Sequence, residues 1–124
     1  MQYNRVVIQR NKLLKELFFH PEYEEMLDIW DMQLASYGRE VSQYRREFIG
    51  ELNELIRPIH QKLSGGKEEL VIQYEPNTEA DQLEAAVKKS READRKQKTT
   101  LVGPHRDDLS FYVNGIDIRR FGSQ

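Results

Sequence analysis

The chain has 124 residues, of which 38% are hydrophobic and 32% are charged, and its formal net charge is -2 at pH 7. This apolar content is low for a compact domain and favours an elongated shape, while patterned apolar residues and a small net charge exclude a disordered chain. No cysteine and no long apolar run are present, which excludes disulfides, thiolate metal sites and membrane spans, and we expect a cytoplasmic protein.

Two helices are predicted for the first half of the chain. Apolar residues recurring at helical spacing predict one over residues 3–18, and Pro21 favours its end just before that position. A tight turn should then lead into an antiparallel helix over residues 22–63, in which Pro58 should cause a kink or a break. This second helix carries an apolar side chain every three or four residues, at Leu27, Trp30, Leu34, Tyr37, Val41, Tyr44, Phe48, Leu52, Leu55, Ile59 and Leu63.

Shorter elements are predicted for the second half. The glycines after Ser64 are typical of a helix cap, and β-branched and aromatic residues predict a strand over residues 69–75. Thr78 and Asp81 resemble a capping box that begins a third helix over residues 78–96. Asn114-Gly115 between alternating apolar residues predicts a C-terminal β-hairpin. The predicted fold class is therefore α+β, mainly α with a small β part, built around an antiparallel helical hairpin.

A run of basic residues lies at the end of the predicted third helix. It contains Lys88, Lys89, Arg91, Arg95, Lys96 and Lys98. Such a run can bind phosphate groups. It can equally be a solvated helix face, because Glu84 and Glu92 precede Lys88 and Lys96 by four residues, and no aromatic residue is interleaved for base stacking.

The segment from Gly103 to Asp108 has the highest density of reactive side chains, with His105, Arg106, Asp107 and Asp108 following a Gly-Pro bend. Arg106 could bind a phosphate or carboxylate group. Alternatively, the segment is a turn in which the aspartates accept hydrogen bonds from nearby backbone amides. The three histidines of the chain share no metal-ligand spacing, and no metal site is predicted.

Three stretches of the sequence closely resemble the RecF family. They are Thr99 to Leu109, the Asn114-Gly115 hairpin, and the end of the chain from Phe121 to Gln124, and the helical part is similar to the arm of that family. The resemblance implies a segment of a bacterial recombination mediator that acts at DNA gaps with RecO and RecR. It also implies that the full-length protein uses ATP and magnesium and dimerises through an SMC-like ATP-binding-cassette head.

The resemblance also implies roles for particular parts of the chain. Residues 1–98 would form the arm, and residues 99–124 would return into the head. Gly122, Ser123 and Gln124 match the start of the signature motif that contacts ATP on a partner head. The phosphate loop and the magnesium-binding acidic strand of the family are absent, so we expect an internal segment that holds no cofactor and catalyses nothing.

Several residues are candidates for contact with DNA or RecR. They are the basic residues Lys88, Lys89, Arg91, Arg95 and Lys96 and the aromatic residues Trp30 and Tyr37, which we expect to be exposed. Two other hypotheses remain open. The chain could be a free-standing helical module that binds a partner helix, or a small acid–base enzyme that uses His105 with Asp107 and Asp108.

Overall fold

The computed structural model describes residues 1–118, which form two compact units. The first, here called the helical unit, consists of Met1–Gln43 and Pro76–Asp107. The second, here called the sheet unit, consists of Tyr44–Glu75 and the described part of Asp108–Gln124. One long helix, α2 (Met26–Leu63), contributes its first part to the helical unit and the remainder to the sheet unit. The predicted boundary between an arm and a head after residue 98 stays a prediction.

The helical unit contains α1 (Gln2–Glu16), the start of α2, α3 (Leu83–Lys89) and α4 (Arg91–Gln97). The start of α1 packs near Leu34 of α2, whereas its end packs near Leu27, so the two helices are antiparallel as predicted. Each fully buried leucine stabilises the fold by about 1.5–3 kcal/mol. Two core clusters hold the unit together. The first consists of Tyr3, Val6, Val7, Leu34, Ala35, Leu83 and Val87. The second consists of Leu13, Leu14, Leu17 and Leu27.

The long helix α2 differs from the prediction at two points. A 3₁₀ turn over Pro21–Glu25 precedes α2, which therefore begins at residue 26 instead of 22. Of the kink or break predicted at Pro58, the break is wrong, because α2 continues to Leu63, and the kink stays a prediction. Both Pro58 and the residue four positions before it are exposed, so water can satisfy the carbonyl group that the proline leaves without a donor.

The predicted third helix is divided into a 3₁₀ turn, Ala80–Gln82, and the two short helices α3 and α4. Ser90 separates the two helices because its ψ angle is -5°, and its hydroxyl group donates to Asp94 Oδ1 at 2.9 Å. The predicted capping box is wrong, since the residue at the N-cap of the 3₁₀ turn is Glu79 and no side chain caps that turn. The Thr78 hydroxyl group instead donates to Asn77 at 2.9 Å.

The sheet unit contains three antiparallel strands in the order β1 (Leu70–Glu75), β2 (Asp108–Val113) and β3 (Ile116–Asp117). Asn114 and Gly115 have φ angles of 51° and 81°, as the tight turn of the predicted hairpin requires. Ile72 and Tyr74 of the sheet pack against Ile49 of α2. The Asn53 amide group also exchanges two hydrogen bonds with the Ile72 backbone, at 2.7 and 2.8 Å. The predicted α+β class is confirmed.

Candidate functional site

A buried arginine joins four parts of the helical unit. Arg10 on α1 donates from Nε to Asp31 of α2 at 2.7 Å and from Nη1 to Asp94 of α4 at 2.8 Å. The same Nη1 donates to the Thr100 hydroxyl group at 3.0 Å. The side chains of Arg10, Asp31 and Asp94 have no exposed surface, so the charges are neutralised by one another instead of by water.

Arg91 extends this network to the surface. Its guanidinium group donates to Asp31 at 2.7 Å and to Asp28 at 2.5 Å. The hydrogen bond and charge of Arg91 hold the pKa of Asp28 below its usual range. Burial opposes ionisation of Arg91, but its bonds to the two aspartates outweigh burial and raise its pKa. Arg91 was predicted as a contact residue, yet its guanidinium group is already engaged within the helical unit.

Five residues of the predicted basic run line an open groove of about 460 Å³, whereas the sixth, Lys98, places its ammonium group over the Phe18 ring, 4.8 Å from the centroid. Within the groove, Arg95 pairs with Glu24 at 3.2 Å and Lys96 pairs with Glu92 at 3.9 Å. Lys88 pairs with Glu84 at 3.5 Å, and Lys89 forms no ion pair within residues 1–118. Five cationic and two acidic side chains form the lining: Glu24, Lys88, Lys89, Arg91, Glu92, Arg95 and Lys96. Three further carboxylates, those of Asp28, Asp31 and Glu84, pair with lining cations from outside the lining.

Lys88, Lys89 and Lys96 are the groove cations best placed to meet a ligand. Their side chains are exposed, and exposed ion pairs such as those of Lys88 and Lys96 contribute little to stability and rearrange readily. None of these three lysines belongs to the buried network around Arg10.

The two aromatic contact candidates are not exposed in the way that we predicted. Trp30 packs against both core clusters of the helical unit, and Tyr37 packs against the cluster that contains Leu34. Both side chains are half-buried. Their position on the apolar stripe of α2 serves the core, because this part of the stripe is covered by α1 and α3.

The histidine turn is held in place by hydrogen bonds on both sides of the imidazole ring. His105 Nε2 lies 2.8 Å from the Thr100 carbonyl oxygen, which can only accept, so Nε2 carries the proton. Nδ1 therefore accepts from the Tyr3 hydroxyl group at 2.7 Å. Burial lowers the pKa of His105 below its ordinary value, against the opposing effect of the Thr100 hydrogen bond.

The aspartates of this segment bond to backbone amides. The Asn77 amide donates to Asp107 at 2.8 Å, and the Leu109 amide donates to Asp108 at 2.8 Å. These contacts favour the structural interpretation of the turn over an acid–base site, because both nitrogens of His105 are already engaged. Arg106 is exposed.

We expect the stability of the chain to fall between about pH 7.5 and about pH 5.5 because of His105. Its pKa is lowered in the folded state, so the unfolded chain binds more protons in this window. The contribution is complete above the unfolded pKa of about 6.5 and is lost as pH falls through the folded pKa. The difference in the free energy of unfolding between the two pH values, measured with urea, should be smaller in His105→Gln than in the unchanged chain.

The control for this measurement is His20→Gln, which removes a histidine from an exposed position without altering the His105 turn. If the stability of His105→Gln and of the unchanged chain depended on pH in the same way, the loss of stability could not be due to His105.

Several predicted features lie outside the site that has been described. Gly122, Ser123 and Gln124, predicted as the start of the ATP signature, fall beyond residue 118 and thus outside the described residues. Within residues 1–118, no group of three or more histidine or acidic side chains is placed to bind a metal ion. No helix in that range has the length and apolar character needed to cross a membrane.

Comparisons with known proteins identify similar sequences. The chain is 49% identical over 123 residues to the DNA replication and repair protein RecF of Agathobacter rectalis, which covers 99% of the chain and 34% of that protein. It is 48% identical over 124 residues to RecF of Lachnoclostridium phytofermentans, covering all of the chain and 34% of the relative. The chain thus spans about a third of the length of these relatives. None of the protein-family models compared with the chain matches it.

Solved structures show the same relationship. The recombination mediator protein RecF-ATP of the RecFOR pathway matches with a TM-score of 0.87 and 32% identity, over 99% of this chain and 35% of the solved one. The structure described as RecF-ATPrS matches with a TM-score of 0.86 and 31% identity over the same shares. Sequence and fold together place the chain in the RecF family, as the counterpart of about one third of those proteins.

Proposed function

We propose that the chain serves DNA repair and replication as a non-catalytic segment of a RecF protein in the bacterial cytoplasm. Its similarity to DNA replication and repair proteins supports the general role. In the full-length protein, ATP and magnesium would bind elsewhere in a head that dimerises, with RecR and RecO as further partners. The segment would contribute a contact surface instead of a reacting group.

The observation that carries this proposal is the presence of three exposed lysines in one groove of the helical unit. Lys88 and Lys89 end α3, and Lys96 lies in the last turn of α4, so two short helices bring these three exposed lysines to one groove. The whole chain is slightly acidic, so attraction of nucleic acid depends on this local charge. We therefore propose that the groove binds the phosphate backbone of DNA without reading its bases.

Charge reversal in the groove tests this function. In a full-length RecF protein carrying this sequence, we expect Lys88→Glu with Lys89→Glu to weaken DNA binding at low salt by about tenfold or more. The slope of the logarithm of the association constant against the logarithm of the salt concentration should become shallower by roughly 2, because two phosphate contacts are lost. This loss should be the same for every DNA sequence, because phosphate contacts do not read the bases. Fluorescence anisotropy with labelled DNA over a salt series measures both quantities.

The matched control is Lys62→Glu with Lys67→Glu, which reverses the same charge at two exposed positions in the sheet unit. This variant should retain most of the affinity. Unchanged affinity and salt slope in the groove variant would remove the groove as a DNA contact. If RecR binding fell while DNA binding stayed intact, the groove would instead be a protein contact.

A further inference from the structure

The second part of α2 carries apolar side chains that the sheet unit leaves in solvent. Tyr44, Phe48, Leu55 and Ile59 expose 67%, 48%, 66% and 61% of their surface. We call these four residues the outer stripe. They are separated by four, seven and four residues, so at about 100° per residue they lie within one narrow face of the helix. The face extends over 15 residues, or about 22 Å.

The outer stripe is distinct from the face on which the sheet unit is built. Ile49, Leu52 and Ile56 pack against the sheet, and Asn53 bonds the backbone of β1. At about 100° per residue, Ile49, Asn53 and Ile56 lie roughly 90–150° around the helix from the centre of the outer stripe, and Leu52 lies roughly 50° from it. The core cluster of the sheet unit is therefore formed without any residue of the outer stripe. The rings of Tyr44 and Phe48 stack on each other, with centroids 6.1 Å apart.

One border of the outer stripe is acidic. Glu47, Glu51 and Glu54 are exposed and lie beside it on the side away from the sheet core. Within residues 1–118, Glu51 and Glu54 form no ion pair. Arg46 does not lie on this border; its guanidinium group is positioned over the Tyr74 ring, 5.5 Å from the centroid. The face thus combines a long apolar strip with a row of negative charge along one edge.

We propose that the outer stripe binds an amphipathic helix of a partner protein whose apolar face is bordered by lysine or arginine. A straight strip of about 22 Å fits roughly four turns of a partner helix, and apolar residues spaced by four and seven suit helix-on-helix packing. The glutamate border selects a basic edge on the partner and fixes its orientation. This proposal does not depend on DNA binding by the groove.

The same border argues against other occupants. In an antiparallel pair of two copies, the glutamates of one chain would lie beside the glutamates of the other, which is repulsive. The phosphates of nucleic acid and the headgroups of anionic lipids would be repelled in the same way. A neutral apolar helix could cover the strip but would leave the carboxylates of Glu51 and Glu54 without a counter-charge.

Binding of designed peptides tests the proposal. One labelled helical peptide of about three heptads carries leucine along one face and lysine along the border that would meet the glutamates, and a second carries glutamate in place of the lysines. Fluorescence anisotropy should show binding of the lysine peptide to the chain and binding roughly tenfold weaker, or none, for the glutamate peptide. Glu51→Lys with Glu54→Lys should reverse this preference.

Apolar substitutions provide the matched control. Phe48→Ser with Leu55→Ser should abolish binding of the lysine peptide. Ile29→Ser with Met32→Ser, which removes two equally exposed apolar side chains from the first part of the same helix, should leave it unchanged. Circular dichroism verifies that each variant is folded, as is expected for exposed positions.

Four results obtained with the chain itself would overturn the proposal. They are equal binding of both peptides, no binding of either, loss of binding in the Ile29 and Met32 control, and dimerisation of the chain that is abolished by the Phe48 and Leu55 substitutions. In a full-length RecF protein carrying this sequence and no other cysteine, Leu55→Cys should react with a maleimide. Protection of that cysteine without a partner would also overturn the proposal, since the protein itself would then cover the stripe.

Discussion

Replacing Asp94 with alanine is expected to lower the free energy of unfolding by about 3–5 kcal/mol, because it leaves the buried charge of Arg10 partly uncompensated. Asp94 accepts hydrogen bonds from Arg10, from the Ser90 hydroxyl group and from the Leu101 amide. Arg10 Nη1 would keep the Thr100 hydroxyl group as an acceptor, but the Ser90 hydroxyl group and the Leu101 amide would lose Asp94, and an unsatisfied buried donor carries a further penalty. Urea or thermal unfolding monitored by circular dichroism measures the loss.

Two further variants make this prediction specific. Glu92→Ala removes a carboxylate from the same helix, but its side chain is exposed and its partner Lys96 is 3.9 Å away, so only a small change is expected. The double variant Arg10→Met with Asp94→Ala should lose less stability than the sum of the losses in the two single variants. In the double variant, removal of Asp94 no longer leaves the charge of Arg10 buried without a partner. A small loss for Asp94→Ala alone would show that water reaches Arg10.

The apolar periodicity of α2 predicted the helix but not which of its faces is covered. Leu27 and Leu34 are fully buried, whereas Tyr44 and Leu55 are largely exposed although they continue the same spacing. Apolar residues spaced by three or by four positions can lie on either of two neighbouring faces of a helix. In the second part of α2, the position of the sheet determines which of these faces is packed. The pairing of β1 with β2, which joins residues more than 30 apart, carries no local signal that would have revealed this position.

The charged residues illustrate the same limit. The helix-surface pairs of Glu84 with Lys88 and of Glu92 with Lys96 were predicted from their spacing and are confirmed. The partners of Arg91 and Arg95 come from α2 and the turn before it, 60 or more residues away. No sequence pattern distinguishes such a partner from any other exposed carboxylate, so the groove could be predicted as a basic run but not as a lined cavity.

Arg10 is the residue of the buried network that was hardest to predict from the sequence. It lies between Gln9 and Asn11 in a polar interval of the predicted first helix, which is typical of a solvated position. The structure buries it because its carboxylate partners arrive from two other helices. The only sequence signal was that Gln9, Arg10 and Asn11 belong to the part of the chain that is similar to the RecF arm.

Substituting the two glycines of α2 by alanine is expected to change stability in opposite directions. A side chain at Gly38 would meet Leu83 Cδ2 at 2.5 Å, Tyr3 Cε1 at 3.2 Å and Pro104 Cδ at 3.4 Å. Leu83 is fully buried and Tyr3 nearly so, so neither can move aside without disturbing the core. Gly38→Ala should therefore lower the free energy of unfolding by about 1–3 kcal/mol through overpacking, despite the better helix propensity of alanine.

Gly50 provides the matched case on the same helix. No atom lies within 4 Å of a side chain built there, so alanine meets open space. Gly50→Ala should then raise the free energy of unfolding by about 0.5–1 kcal/mol, because alanine loses less conformational freedom than glycine when the helix forms. Parallel unfolding curves of the two variants and the unchanged chain test both signs at once. If both substitutions stabilised the chain, the higher helix propensity of alanine would be the only effect at both sites. That result would mean that α3 and Pro104 do not approach Gly38 as closely as described.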